Sequence, residues 1–102
     1  MTCDIFLFSQ TELDYDSETK TATIREKQEW NGQGTELGLS FLPLFGGQNR
    51  VAIDLEDLQL FLNTYKAPDE FAGKQVEELI TLTSDFQENG DDFRHFHLEM
   101  TY

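Results

Sequence analysis

Apolar and polar residues change places along this chain with a period that shifts from two to nearly four and back. "CDIFLF" (3–8) is a short apolar run rich in aromatics and bounded by "SQTE", the pattern of a largely buried strand. "ELDYDSETK" (12–20) is polar and acidic and reads as a turn. In "TATIREKQEW" (21–30), Ala22, Ile24 and Trp30 share one parity and Thr23 and Arg25 the other, as in an edge strand or hairpin arm. "NGQG" (31–34) carries the Asn-Gly turn signal. Leu37, Leu39 and Phe41 alternate within "TELGLSFLPLF" (35–45), which predicts a strand that ends at Pro43, a residue unable to donate to a ladder, or lies at a sheet edge. After the turn "GGQN", "RVAI" (50–53) reads as a brief strand.

The period then lengthens. Leu55, Leu58, Leu62 and Tyr65 form a stripe at helical spacing, flanked by Phe61. Asp54 is placed to cap this helix, Glu56 and Asp57 sit where the helix dipole favours negative charge, and Ala67-Pro68 stops it. Pro68 opens a second predicted helix over 68–79, with Phe71, Val76 and Leu79 inward and Gly73 weakening it. From Leu79 the spacing reads as two again: Ile80, Leu82 and Phe86 oppose Thr81, Thr83 and Asp85. "ENGD" (88–91) reads as a turn into a last strand, in which Phe96, Leu98, Met100 and Tyr102 alternate with His95, His97, Glu99 and Thr101. These segments predict a C-terminal β-hairpin. The expected fold is α+β: one domain over 1–102, an antiparallel sheet covered on one face by one or two helices.

Composition supports folding. Hydrophobic residues make up 38% and aromatics 13% of 102 residues, enough for one core. The lone cysteine, Cys3, lies in an apolar run and reads as a small buried hydrophobe. No disulfide within the chain and no cysteine-based zinc site are possible. The opening residues carry no basic region before their short apolar run, and no segment approaches a bilayer span. A reducing cytoplasm is the expected compartment.

Charge changes the picture most. Twenty acids face seven bases, a net charge of −13, where solubility alone asks for a magnitude of about 2–8. Such a field repels nucleic acid and anionic membranes and draws in basic protein surfaces. The acids Glu77, Glu78, Asp85, Glu88, Asp91 and Asp92 fall in one span, and Asp14, Asp16 and Glu18 in another. Both sets are candidate contacts, with Trp30 and Tyr15 as candidate aromatic anchors.

The remaining chemistry is thin. His95, His97 and Glu99 would share a strand face and form a reasonable ligand set for zinc or iron(II), but a half-buried strand needs a polar face anyway. "DYDSE" suggests a calcium loop, yet Thr19 and Arg25 stand where glycine and glutamate are required; from Asp85, Phe96 replaces the glutamate. No phosphate-cradling or nucleophile motif is present, and neither a cofactor nor catalysis is expected. The function class that fits is a small acidic binding protein that caps a basic surface, most naturally an inhibitor of a nuclease or other nucleic-acid-handling protein. Bacterial immunity and antitoxin-type proteins share this compositional profile, as do phage anti-defence inhibitors that mimic nucleic acid. A structural or adaptor subunit is the bland alternative, and a small enzyme on His95, His97 and Glu99 the sharp one.

Overall fold

In the computed structural model, which describes residues 3–90 and 95–101, the longest regular feature is a hairpin. Strands β1 (Asp4–Asp16) and β2 (Thr21–Gln33) pair antiparallel from Asp4 opposite Gln33 to Asp16 opposite Thr21. The segment 12–20 is therefore mostly strand, with only residues 17–20 forming the turn. There the Asp16 carboxylate accepts the Glu18 N–H at 3.0 Å, an Asx turn, and Lys20 takes a positive φ of 55°. The pairing slips between Leu7 and Phe8 and between Gln10 and Glu12, two bulges that bend the ribbon. "NGQG" makes no hairpin: residues 31–33 continue β2, and Gly34, at φ 118°, ends it.

Segment 35–45 is a helix, not a strand. In α1 (Thr35–Phe45), Leu37, Phe41 and Phe45 recur every four residues and are buried, while Leu39 faces outward. Leucines and phenylalanines at 37, 39 and 41 satisfy either period over so short a run; the buried i, i+4, i+8 set is what the core selects. Pro43 lies near the helix end and on the exposed side, where loss of one N–H bond to the Leu39 carbonyl is tolerated. Next come β3 (Arg50–Ile53) and α2 (Leu55–Asn63), both at their predicted places. Asp54 occupies the cap position of α2, although its side chain makes no cap bond.

The predicted C-terminal hairpin does not form. Residues Glu70–Glu88 are one helix, α3, opened by Asp69, whose carboxylate accepts the Ala72 N–H at 2.7 Å. Ala72, Val76, Leu79, Thr83 and Phe86 lie on its buried face at intervals of three and four. Asn89 and Gly90 (φ 74°) end this helix rather than turn a hairpin. Strand β4 (His95–Thr101) instead finds distant partners, running between β1 and β3 in a sheet of order β2-β1-β4-β3, antiparallel throughout. The α+β architecture stands, with three helices where one or two were expected.

All three helices pack on one face of the sheet. Ile5 and Leu7 of β1, Trp30 of β2 and Phe96, Leu98 and Met100 of β4 meet Leu37, Phe41, Phe45, Leu58, Leu62 and Leu79 in a single core. Each such side chain, taken fully out of water, contributes about 1.5–3 kcal/mol. Phe41 is the aromatic hub, its ring 6.1 Å from Trp30, 5.1 Å from Phe61 and 5.5 Å from Tyr65. Because β4 pairs with β1 only as far as Gln10, the rest of the hairpin projects beyond the sheet. That projection accounts for a longest dimension of 52 Å.

Candidate acidic interface

Helix α3 carries its charge opposite its core face. At 100° per residue the buried set centres on one side, and Glu70, Glu77, Glu78, Asp85 and Glu88 fall on the other. All five are exposed. Eighteen residue intervals at 1.5 Å spread this ridge over roughly 27 Å. One base interrupts it: Lys74, whose Nζ lies 4.0 Å from the Glu70 carboxylate, both side chains largely exposed. A pair so exposed adds little stability and leaves the ridge strongly negative.

The sheet fixes where the ridge lies. Near its start, Gln75 exchanges hydrogen bonds with the Gln33 backbone, both 2.7 Å, anchoring this end of α3 to the end of β2. Near its finish, Phe86 packs on Phe96 with ring centroids 5.2 Å apart. Asp85 and Glu88 therefore lie at the end of the sheet from which the hairpin projects. Asp16 and Glu18 stand exposed at the hairpin tip beside Tyr15, and Asp14 lies on β1 opposite Thr23. The two acidic sets occupy separate elements, one a rigid helix face and the other a projecting ribbon.

Of the predicted contacts, Glu77, Glu78, Asp85 and Glu88 do come together, on a helix rather than a hairpin. Asp91 and Asp92 lie outside the described residues. Trp30 is not an interface anchor: it is 6% exposed, stacked on Phe41 inside the core. A single tryptophan in an alternating strand looks equally suited to either face, and the bulge at Glu29 turns this one inward. The large apolar side chains that do reach solvent among the helices are Leu39, Leu42, Leu60, Phe71 and Ile80. Sequence reading missed Glu70 as a ridge member. Its signal was Asp69-Glu70 directly after Pro68, a cap and first turn continuous with the apolar period at 72, 76 and 79.

His95, His97 and Glu99 share the sheet face away from the helices, as the alternation predicts. They do not assemble into a metal site: among the described residues no group of three His, Cys, Asp or Glu side chains converges. Glu99 instead faces Arg50 at 3.8 Å, and the Arg50 guanidinium reaches past β4 and β1 to pair with Glu26 of β2. Among the described residues, the Nδ1 of His97 is buried with no hydrogen-bond partner. Cys3 is half-buried against α1; burial, and secondarily the Asp4 carboxylate, hold its thiol above the usual range.

No helix among the described residues is long and apolar enough to cross a membrane. Comparison of the chain with protein-family models, curated proteins and solved structures gives no match. What the geometry defines is a small α+β domain with an acidic helical ridge on one side and an acidic ribbon projecting from one end.

Proposed function

We propose that this chain is a binding protein that caps a basic surface on a nucleic-acid-handling partner, an inhibitor of the immunity or antitoxin type acting in the cytoplasm. The observation that carries the reading is the α3 ridge, five exposed carboxylates in one row with a single lysine among them. Helix burial alone requires only that the outward face be polar, and alternating signs would serve stability better through i, i+4 pairing. A one-sign row raises self-repulsion and is useful when it meets the opposite sign.

The magnitudes favour a protein that competes with nucleic acid over one that copies it. Five charges over roughly 27 Å are far sparser than the one charge per about 1.7 Å of B-DNA. The ridge thus offers individual carboxylates to individual arginines and lysines, with bidentate geometry available to each. Exposed Phe71 and Ile80 lie on the same helix and supply apolar contact beside it.

The test is capture from host lysate with this protein as bait, washed at about 50 and about 500 mM salt, conditions that lengthen and shorten electrostatic screening. A second wash adds duplex DNA as competitor. A basic protein held at low salt, released by DNA, and losing its own nucleic-acid activity when the chain is added supports the reading. A captured partner indifferent to both salt and DNA overturns it in favour of an adaptor role.

A further inference from the structure

Two Asn-Gly pairs occur in the chain, Asn31-Gly32 and Asn89-Gly90. Both carry a turn signal, and neither turns a hairpin. Such a pair has a second chemistry. The backbone nitrogen of the following residue can attack the asparagine side-chain amide, and a glycine there leaves the approach uncrowded and the backbone free to make it.

The fold holds the two pairs differently. Asn31 is exposed, but its backbone is fixed: it pairs with Phe6, and Gly32 with Ile5, in the β1–β2 ladder. Gly32 is buried beneath the indole of Trp30, with Leu37 beside it. Swinging the Gly32 nitrogen under the Asn31 amide would break the ladder and pull Gly32 out of the core. A core strand opens only at a cost approaching global unfolding. Asn89, by contrast, is the C-cap of α3 at φ −82° and ψ 0°, and Gly90 follows at φ 74°. Both are exposed, and a Cβ at Gly90 would meet nothing within 4 Å. Among the described residues the Gly90 N–H makes one hydrogen bond, at 3.3 Å to the Gln87 carbonyl. Helix ends fray at almost no cost. Loss of that bond lets the nitrogen swing toward the Asn89 side chain by rotation about ψ.

We propose that Asn89 is a self-modification site: in the folded protein its amide converts to a carboxylate, while the sheet keeps Asn31 intact. The Gly90 nitrogen gives up its proton and bonds to Cγ of Asn89. The Cγ–Nδ2 bond breaks, and Nδ2 leaves with that proton as ammonia. Water then opens the cyclic imide, its hydroxyl going to a carbonyl carbon and its remaining proton to the ring nitrogen. Cleavage at Cγ gives aspartate; cleavage at the main-chain carbonyl carbon of Asn89 gives isoaspartate, with a methylene added to the backbone. The new acid ionises, and no electrons are transferred. Either product adds a negative charge to the −13 of the chain, directly after Glu88 and at the helix end where the macrodipole disfavours it. Conversion therefore loosens the last turn of α3.

The experiment ages the full chain in neutral buffer, with and without urea. Each Asn-Gly peptide is followed by proteolytic mapping and mass spectrometry, with aspartate and isoaspartate separated by chromatography. In urea the two pairs should convert at similar rates. In the native protein Asn89 should stay close to its unfolded rate, and Asn31 should fall below Asn89 by about tenfold or more, because a core strand opens far more rarely than a helix end. Asn89→Asp, which installs one product directly, should speed amide hydrogen exchange in the last turn of α3 by about two- to fivefold, the range of a charge at a helix end, and leave exchange in β1 level. Conversion of Asn31 as fast as Asn89 in the native protein, a native Asn89 rate about tenfold or more below its unfolded rate, or unchanged exchange in Asn89→Asp overturns the proposal.

Discussion

The indole of Trp30 lies across Gly32, so close that a Cβ on residue 32 would stand 2.4 Å from the Cη2 of the ring and 2.6 Å from Leu37. Gly32 is thus the gap in β2 that lets a large ring turn into the core and stack on Phe41. Alanine is ordinarily better than glycine in a strand by about 0.5–1 kcal/mol. Here Gly32→Ala should destabilise by about 1–3 kcal/mol, the cost of overpacking. Urea unfolding followed by tryptophan fluorescence reads both the loss and the displaced ring. A gain in stability would show that the indole does not rest there.

Leu58 is the buried centre of α2, fully excluded from solvent. Leu58→Ala should cost about 2–5 kcal/mol. Chemical denaturation measures it, and an effect within a few tenths would place the helix face elsewhere.

Gly38 and Cys3 form a second close contact. A Cβ at 38 would meet the Cys3 Sγ at 2.5 Å. Gly38→Ala alone should therefore destabilise, although alanine gains about 1 kcal/mol over glycine within a helix. In a Cys3→Ala background the same change should become much less costly, since the blocking sulfur is gone. A double-mutant cycle reads the coupling directly; additive effects would refute the contact.

The Cys3 thiol, raised chiefly by burial and further by Asp4, should react slowly with iodoacetamide at pH 8. Only the thiolate attacks, so a raised pKa lowers the reactive fraction at any pH below it. The rate should climb with a midpoint above the value near 8.5 of an open thiol. Asp4→Asn should move that midpoint down by part of the difference. A midpoint at or below the free-thiol value would contradict the burial.

Neutralising the ridge through Glu77→Gln, Glu78→Gln, Asp85→Asn and Glu88→Gln should slow association with a basic partner by about tenfold or more at low salt, the range of electrostatic steering. Unfolding free energy should stay level or rise slightly as self-repulsion falls. Stopped-flow association at two ionic strengths checks the first, and a salt-independent rate equal to wild type would remove the ridge from the encounter.

What the chain determined by itself was local: where charge accumulates, where Asp54 and Pro68 punctuate, that β3 and α2 form, and that residues 96, 98 and 100 face a core. Each follows from spacing and cap chemistry within a few residues. Tertiary structure decided the rest. Leu37, Leu39 and Phe41, or Ile80, Leu82 and Phe86, fit a strand as well as a helix until the sheet supplies a surface. That surface then buries Leu37, Phe41 and Phe45, and Leu79, Thr83 and Phe86, in helical register. The partner of β4 was equally beyond local reading, because strand pairing is a contest among distant segments, won here by β1 and β3. The acidic ridge inherits both outcomes: its charges were legible one by one, but only the helical register dictated by the core aligns them on one side.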